Sequence, residues 1–233
     1  MSAPRQGLRE LAGDPVVGFL GTLEPQQAAE LRRRGVRRRF RRGQALFHQG
    51  GSSDRVMVLL HGRVKVSTVT EEGKEIVLAF RGPGDLLGEL AAIDGEPRSA
   101  TVEAIEAVEA IAITAADFRS FLSTHAEVSM LLLRMLSRRL RDADRVRVEY
   151  GAHDTVGRVA ARLVELVEEY GEPVDGGIRI GLPLSQEELA GWTGASREAV
   201  SKALQTLRGV GWVRTERRKI TVLDLEALRR RSA

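Results

Sequence analysis

The sequence predicts an α+β protein with a β-rich first half, one long helix and a mainly helical last third. Three patterns in the 233 residues predict this class. Short stretches alternate apolar and polar residues from about 36 to 113, apolar residues recur with helical spacing from about 125 to 151, and short capped helices follow. A chain of this length holds two ordinary domains, so we expect a β domain at 20–124, a long helix at 125–153 and a second domain at 154–233.

The β-rich region is divided by turn signals at 49–53, 61–62, 71–74 and 81–84. Between two of them, the run Val64–Val69 alternates apolar and polar side chains, which is typical of a strand with one buried face. Several such strands joined by short turns form a compact antiparallel structure. We therefore expect a small β-barrel or β-sandwich in this region.

One stretch inside this region, GELAAIDGEPRSATV at 88–102, combines glycines, acidic residues and an Arg-Ser pair. It predicts a short, glycine-opened helical turn that leads into a strand. Backbone N–H groups at such a turn favour an anion, and an arginine binds phosphate with its two-pronged fork, so Arg98 marks a candidate phosphate site. The alternative is structural: Gly88 and Gly95 allow a positive φ. Glu89 is then a solvated acid, and Arg98 begins an exposed strand face.

The composition excludes several classes of site. Without cysteine, the chain has no disulfide framework, thiolate zinc site, iron–sulfur cluster or cysteine nucleophile. The histidines are scattered without the spacing of a metal site or a catalytic triad, so we expect neither a metal nor an enzyme; haem bound by histidine alone is the alternative. No apolar run approaches the roughly 20 residues that span a bilayer, and the N-terminus lacks the apolar core of a secretion signal. We expect a cytoplasmic protein without membrane contact.

The formal net charge is +4, but the positive charge is clustered. Residues 32–42 hold eight arginines and no acid, which we interpret as a solvated helix end and strand face rather than a binding surface. Residues 197–219 hold seven cationic residues against two glutamates, a local net charge of +5 (7 − 2). This second cluster is a candidate nucleic-acid face.

A stripe of apolar residues marks the long helix. It consists of Leu132, Leu136, Leu140, Ala143, Val146 and Tyr150, with charged residues between them. A helix of about seven turns exceeds the reach of a small domain, so we expect the stripe to pair with the same helix of a second copy. Packing on the β domain of the same chain is the alternative explanation.

The last region has the pattern of a helix-turn-helix. Asp154 predicts the start of a helix that reaches about residue 170. Ser185 and Glu188 then form a capping box, a glycine turn follows at 192–194, and a second capped helix spans 196–207. Two short basic segments at 211–214 and 219–223 predict a β-hairpin wing. Cationic and polar residues cluster in the first turns of the second helix, the part that enters a major groove in such motifs, which favours DNA binding.

The order of these features resembles one known family. A β-barrel containing GELAAIDGEPRSATV, a long helix and the segment SQEELAGWTGASREAVSKALQTL look like the cyclic-AMP receptor protein and FNR superfamily of bacterial transcription regulators, across about residues 20–225. The resemblance implies a jelly-roll-like cyclic-nucleotide-binding domain, a dimerisation helix and a winged helix-turn-helix domain. The two motifs are independent and stand in the right order, so the match is more specific than either motif alone.

In this family the Gly-Glu-Leu and Arg-Ser segments bind the nucleotide. The resemblance implies that the backbone around Gly88 and Leu90 donates hydrogen bonds to the ligand. It also implies that Glu89 accepts a hydrogen bond from the ribose 2′-hydroxyl, while Arg98 and Ser99 hold the cyclic phosphate. A cyclic phosphodiester carries one negative charge, which a single arginine with hydroxyl and amide donors neutralises.

The residues expected at the base depart from the family pattern. Where cyclic-AMP-responsive members carry a Thr-Ser pair on the long helix, this chain has Ala143 and Asp144. Ala143 forms no side-chain hydrogen bond, whereas the Asp144 carboxylate accepts from the amino group of adenine or from N1–H and N2–H of guanine. We expect cyclic AMP because Ser99 follows Arg98 at a position where cyclic-GMP-selective domains often have threonine. Cyclic GMP, another ligand and no ligand are the alternatives.

For DNA recognition, the resemblance implies contacts from the helix-turn-helix and the wing. The expected residues are Ser185, Gln186, Ser196, Arg197, Glu198, Ser201, Lys202, Arg217 and Arg218. Arg197 suits a guanine and Glu198 a cytosine in a GTGA-like half-site, whereas Lys202 replaces an arginine and loses its bidentate geometry. The expected partners are a second copy of the chain, an inverted-repeat operator in double-stranded DNA, and RNA polymerase. A nucleotide sensor that acts on a protein partner is the alternative function.

Overall fold

The computed structural model describes residues 18–182 and 184–232, which form two compact units divided between Asp142 and Ala143. We call them the N-terminal unit (18–142) and the C-terminal unit (143–232 without residue 183). In the N-terminal unit the chain follows the order 3₁₀ turn (Phe19–Thr22), α1 (Pro25–Arg33), β1 (Gly35–Phe40), β2 (Ala45–Phe47), β3 (Arg55–His61), β4 (Val64–Val69), β5 (Glu75–Arg81), β6 (Leu86–Leu87), α2 (Glu89–Asp94), β7 (Thr101–Ala104), β8 (Val108–Thr114) and α3 (Ala115–Thr124). The long helix α4 (Ala126–Ala152) starts in this unit and ends in the C-terminal unit.

Two four-stranded antiparallel sheets form the centre of the N-terminal unit, in the orders β1-β8-β3-β6 and β2-β7-β4-β5. One apolar core contains residues of both sheets, such as Phe47 and Met57. A second core joins the other face of β3, including Val58, to residues of α3 and α4 such as Phe118 and Leu132. Because successive strand residues face opposite sides, β3 is buried on both faces. The predicted jelly-roll-like fold is confirmed, with open sheets in place of a closed barrel.

The clustered arginines of residues 32–42 lie at the end of α1, on β1 and in the turn after it. Arg37 and Arg39 are exposed on β1, and both form ion pairs with Glu109 of the neighbouring strand β8. Their positions agree with a solvated helix end and strand face.

The long helix is longer than an average helix, as its periodicity predicts. One part of its apolar stripe is buried against the β domain of the same chain, and another part is exposed. Leu132 is buried in the second core, and Leu136 packs against it, so this part of the stripe covers the chain's own β domain. The expectation that the whole stripe pairs with a second copy is therefore wrong for these residues. An exposed row of α4 contains Leu140 of the stripe together with Met130, Leu133 and Val148, which lie outside it; 63%, 52%, 54% and 69% of their respective surfaces are accessible. We call these four residues the exposed row.

After α4, the C-terminal unit contains α5 (Thr155–Tyr170), β9 (Gly171–Val174), β10 (Gly177–Ile180), α6 (Gln186–Thr193), α7 (Arg197–Gly209), β11 (Val213–Glu216), β12 (Lys219–Val222) and α8 (Leu225–Arg231). Its strands form one antiparallel sheet in the order β11-β12-β10-β9. The sequence predicted the α6–turn–α7 motif and the β11–β12 hairpin, but no strand was predicted at 171–174. This segment is β9, an edge strand, which tolerates Pro173 because only one of its edges is paired.

In the described part of the chain, no helix combines the length and apolarity needed to cross a bilayer.

Candidate anion site and nucleic-acid interface

Arg98 is the buried centre of the candidate anion site. Only 4% of the residue is accessible, and its guanidinium donates hydrogen bonds to three backbone carbonyls. Nε reaches Ser52 O at 3.1 Å, Nη1 reaches Gly88 O at 2.8 Å, and Nη2 donates to Arg55 O. The guanidinium also stacks over the Phe47 ring, with 4.1 Å from Cζ to the ring centroid. These contacts within the protein are sufficient to orient the guanidinium.

The charge of Arg98 is poorly compensated within the N-terminal unit. Its hydrogen-bond acceptors are neutral carbonyls, and Asp54, the carboxylate in its ion-pair contact, lies 3.9 Å away and also pairs with Arg55. Burial lowers the pKa of Arg98, with Asp54 acting in the opposite direction. A buried cation held by neutral groups favours a nearby anion, since the anion replaces the lost hydration.

Gly88 is required by the geometry of this site. It adopts φ +74° as the residue before α2, a left-handed conformation that favours glycine. A Cβ atom at this position would lie 2.4 Å from Arg98 Nη1 and 3.0 Å from Phe47 Cε2. The glycine thus lets the guanidinium approach the backbone closely enough to bond to Gly88 O. Gly88 thus has the positive φ that the structural explanation predicted, and this conformation also allows Arg98 to occupy its position.

Glu89 is also buried, with 4% of its surface accessible, and its partner comes from the long helix. Glu89 Oε1 accepts a hydrogen bond of 2.6 Å from Arg139 Nη1, and Arg139 Nη2 donates to Leu86 O at 3.2 Å. Burial lowers the pKa of Arg139, and the charge of Glu89 acts in the opposite direction. Arg139 was not predicted from the sequence. Its place opposite Glu89 follows from the packing of α4 on the β domain, which no local pattern reveals.

The remaining residues of the motif are accessible. Ser99 is exposed directly after Arg98, and Leu90 on α2 has 47% of its surface accessible. The structure thus brings Gly88, Glu89 and Arg98 together in the N-terminal unit, with Ser99 at the surface beside them.

Ala143 and Asp144 lie on exposed turns of α4. Asp144 Oδ1 is 3.9 Å from Arg147 Nη1, and 61% of its side chain is accessible. With about 100° per helical residue, Ala143 lies about 40° around the helix from Arg139, whereas Asp144 lies about 140° away. Asp144 therefore shares a side of α4 with the exposed row, and Ala143 shares a side with Arg139.

The second candidate surface is the exposed side of α7, the helix that follows the glycine turn. Ser196 is its N-cap and accepts a hydrogen bond of 3.1 Å from Ala199 N. Val200, Ala203, Leu204 and Leu207 bury the opposite side. The exposed residues before the last turn are Ser196, Arg197, Glu198, Lys202, Gln205 and Thr206, with Ser201 half-buried between them, and Arg208 and Gly209 are exposed at the end of the helix. A polar face of this kind, with cations in its first turns, matches the requirements for reading base edges.

Glu198 is held in its ionised form. Hydrogen bonds from its own backbone N–H and the Ser196 hydroxyl lower the pKa of Glu198, and the charge of Arg197 adds to this effect. An ionised carboxylate is acceptor-only, which is the state that accepts a hydrogen bond from cytosine N4.

The first helix of the motif, α6, begins at the predicted capping box. Ser185 Oγ accepts from Glu188 N at 3.1 Å, and Glu188 Oε2 accepts from Ser185 N at 2.7 Å. The Ser185 hydroxyl also donates to Glu188 Oε2 at 2.8 Å, so it serves the cap, while Gln186 is exposed next to it.

The β11–β12 hairpin carries Arg217 and Arg218 at its tip, and both are exposed. Arg218 has φ +57°, a left-handed conformation that is unfavourable for a residue with a side chain. Glycine or asparagine is the usual residue at such a position in a tight hairpin turn. The arginine therefore adds positive charge at the tip at some conformational cost.

No group of histidine, cysteine and carboxylate side chains suited to a metal occurs among the described residues.

Two family models match the two parts of the chain that carry these candidate surfaces. The cyclic nucleotide-binding domain model matches residues 37–125, and the Crp-like helix-turn-helix domain model matches residues 157–231. Fold and site together define a transcription regulator with a cyclic-nucleotide-binding domain and a DNA-binding helix-turn-helix domain. The chain belongs to the CRP/FNR superfamily.

Individual relatives cover nearly the whole chain. The chain is 35% identical over 215 residues to a CRP-like cAMP-activated global transcriptional regulator from Mycobacterium tuberculosis, which covers 92% of this chain and 96% of the relative. It is 32% identical to a global nitrogen regulator from Synechocystis, over 81% of this chain and 85% of that protein. Among solved structures, a CRP-family transcriptional regulator from Thermus thermophilus matches with a TM-score of 0.71 and 28% identity, over 84% of this chain and 96% of that one.

Proposed function

We propose that this transcription regulator binds cyclic AMP at Arg98 and that the bound nucleotide raises its affinity for an inverted-repeat operator. The observation that carries the proposal is the buried guanidinium of Arg98, which is oriented by three neutral carbonyls. Its nearby carboxylate, Asp54, lies 3.9 Å away and also pairs with Arg55. A guanidinium has five N–H donors, so two remain for phosphate oxygens when three bind carbonyls. A single negative charge, as on a cyclic phosphodiester, balances the site.

Through Glu89 and Arg139, a bound nucleotide acts on the long helix. The 2′-hydroxyl of a bound ribose donates to Glu89, whose carboxylate has a second oxygen besides the one that accepts from Arg139. The ligand thereby adds to, or redistributes, a contact between α2 and α4. A ligand shifts the equilibrium of the protein only by its differential affinity for the two arrangements, and this ion pair is where such a difference arises.

The regulator acts as a homodimer that pairs through the exposed row of α4. Met130, Leu133, Leu140 and Val148 supply the apolar surface that a helix–helix contact needs. Asp144 lies on the same side, so it meets the nucleotide base from the partner's helix, where its carboxylate accepts from an N–H of the base. Adenine and guanine both offer such donors, so cyclic GMP is the alternative ligand.

DNA is read by α7, with Arg197 on guanine, Glu198 on cytosine and Lys202 on an acceptor or a phosphate. Ser185, Gln186, Ser196 and Ser201 contact the backbone of the DNA or the base edges next to it, and Arg217 and Arg218 contact phosphates from the wing. The protein works in the cytoplasm, where its DNA target is, without a metal and without enzymatic activity. RNA polymerase is its further partner on the promoter.

Calorimetric titration with cyclic AMP and with cyclic GMP tests the ligand. Saturable binding of cyclic AMP in preference to cyclic GMP supports the proposal. If the protein prefers cyclic GMP, the proposed ligand is wrong and the proposed site stands. If neither nucleotide gives a heat of binding, the proposed switch is contradicted.

Sedimentation at micromolar concentration tests the dimer. Leu140→Glu places charges against each other in the proposed contact, so we expect the variant to sediment as a monomer. Leu78→Glu, at an apolar residue of β5 that is 50% exposed, is the matched control and should leave the dimer intact. A monomeric wild-type protein, with and without nucleotide, contradicts pairing through this row.

A further inference from the structure

The last turns of the long helix contact the turn of the helix-turn-helix within the C-terminal unit. Tyr150 of α4 donates a hydrogen bond of 3.2 Å from its hydroxyl to Trp192 O, a carbonyl in the last turn of α6. Carbonyls at the end of a helix lack partners inside the helix, so a donor from outside stabilises that end. Tyr150 thus acts on the point where the recognition motif changes direction.

The Tyr150 ring also fills the space beside the glycine of this turn. Gly194 has φ +61°, and a Cβ atom on it would lie 2.4 Å from Tyr150 Cε1 and 2.9 Å from the phenol oxygen. Ser196, the N-cap of the recognition helix α7, follows two residues later. The position of the ring therefore limits where the recognition helix begins.

Arg158 of α5 completes the contact from the other side. Its Nε donates to Thr193 O at 3.0 Å, and its guanidinium lies 5.5 Å from the centroid of the Tyr150 ring. Consecutive carbonyls at the end of α6 are thereby bound by one side chain from α4 and one from α5, which contact each other. We call Tyr150, Arg158 and the backbone of residues 192–194 the turn clamp.

A buried ionic cluster fixes α4 against α5 next to the turn clamp. Arg162 has 4% of its surface accessible and pairs with Glu149 of α4 and, at 2.5 Å, with Glu165. Arg145, one turn before Glu149, lies 3.0 Å from Glu149 and 2.7 Å from Glu165. Removing one member of such a cluster leaves a buried charge uncompensated, so α4 rotates or slides on α5 only at considerable cost. The residue after Glu149 is Tyr150, which is held in place by this cluster.

From these contacts we infer that Tyr150 is a positioning residue that couples the long helix to the recognition helix through the turn clamp. The inference rests on the proposed function, because it concerns how the state of the long helix reaches the DNA-binding surface. Arg139, which binds Glu89 of the candidate anion site, and Tyr150, which binds the turn, both belong to α4. Because the ionic cluster fixes the end of α4 to α5, a rotation or shift of α4 carries α5 and the Tyr150 ring with it, and thereby the start of α7.

The first test compares Tyr150→Ala with Tyr170→Ala. The chain has two tyrosines, and Tyr170 at the end of α5 donates to Glu169 at the surface, so its replacement is the matched control. Operator affinity is measured by fluorescence anisotropy with and without saturating cyclic AMP. For Tyr150→Ala we expect the stimulation by nucleotide to fall by about 2- to 30-fold, with unchanged calorimetric affinity for the nucleotide and unchanged affinity for a scrambled duplex. Wild-type stimulation in Tyr150→Ala overturns the inference.

The second test is a double-mutant cycle with Gly194→Ala. The new Cβ collides with the Tyr150 ring and also strains the backbone at positive φ, and only the collision depends on Tyr150. We expect Gly194→Ala to reduce operator affinity more in the wild-type background than in the Tyr150→Ala background. Equal reductions in both backgrounds overturn the contact between ring and turn.

Hydrogen exchange separates failure of the inference from failure of the proposed function. If wild-type protein shows no response to nucleotide, the proposed switch fails, and the coupling through Tyr150 fails with it. Amide exchange across residues 192–196 still decides the local contact: Tyr150→Ala should speed exchange there, whereas Tyr170→Ala should not. Unchanged exchange in Tyr150→Ala contradicts the turn clamp whatever the ligand does.

Discussion

Two arginines show how differently the two units present positive charge. Arg98 is buried, stacked on Phe47 and bound to three carbonyls, whereas Arg197 is exposed in the first turn of α7. The burial of Arg98 has already removed most of its water, so an anion that arrives there meets a desolvated, oriented cation. Arg197 keeps its hydration until DNA displaces it.

This difference predicts how each site responds to substitution. Removal of a buried charge with fixed partners should cost most of the affinity for the ligand, because no neighbouring group or water replaces the charge. An exposed charge on a recognition helix contributes by degrees, and its contribution depends on which base lies opposite and on salt. The following predictions test this contrast, starting with the largest expected effect.

Replacement of the buried arginine should have the largest effect. Arg98→Leu removes the counter-charge of the phosphate, and we expect nucleotide affinity in calorimetry to fall by at least about a hundredfold. Arg98→Lys keeps a charge without the fork and should retain weak binding. Arg41→Leu, at an exposed arginine of the N-terminal unit, is the control. The Arg98 site is refuted if folded Arg98→Leu protein, checked by thermal unfolding, binds nucleotide as well as wild type does.

Replacement of the exposed arginine should have a smaller effect that depends on DNA sequence. Arg197→Ala loses a bidentate contact to guanine, so we expect about 1 to 3 kcal/mol weaker binding to the operator and little change on scrambled DNA. Changing the guanine in the operator should weaken wild type and leave the variant unaffected. Equal losses on both duplexes would mean that Arg197 contacts only phosphate.

The base contact should change a ratio of affinities. Asp144→Ala removes an acceptor that adenine and guanine use differently, so we expect the ratio of cyclic AMP to cyclic GMP affinity to change by about tenfold. Asp142→Ala, at an exposed carboxylate two residues earlier, is the control. If both affinities fall together or stay the same in Asp144→Ala, this residue does not reach the base.

The smallest effect is expected at the tip of the wing, where two readouts should change in opposite directions. Arg218→Gly removes a left-handed arginine, so we expect unfolding to be harder by about 0.5 to 1 kcal/mol. The lost charge should weaken operator and scrambled DNA alike and reduce the slope of log affinity against log salt by about one. Arg217→Ala should match the DNA result without the gain in stability. A loss restricted to the operator would instead indicate base recognition by the wing.

The sequence predicted the elements that have local signals. The capping box at Ser185, the cap at Ser196 and the wing hairpin are read from neighbouring residues, and the structure contains each of them. The edge strand β9 was missed because Pro173 argues against a strand when its edge position is unknown. The apolar stripe of α4 was only partly understood, since periodicity does not distinguish Leu132, in the chain's own core, from Leu140, at the surface.

Part of the candidate anion site could be predicted from the sequence, and its arrangement could not. The motif at 88–102 indicated Gly88, Glu89 and Arg98, and the resemblance to the family gave them roles. The carbonyls of Ser52 and Arg55 and the Arg139 side chain come from distant positions in the chain. Such contacts depend on how strands and helices pack, so they appear only in the folded structure.

The central claim is that nucleotide at Arg98 controls sequence-specific DNA binding, and fluorescence anisotropy tests it most directly. In a two-fold dimer the recognition helices enter major grooves about 34 Å apart, so the operator is an inverted repeat with half-site centres about 10 to 11 base pairs apart. Such an operator and a scrambled duplex are titrated at fixed salt without nucleotide, with cyclic AMP and with cyclic GMP. We expect preference for the operator and a clear increase of that preference with cyclic AMP. Equal affinity for both duplexes under every condition would contradict sequence-specific regulation, and an operator preference that neither nucleotide alters would contradict the switch.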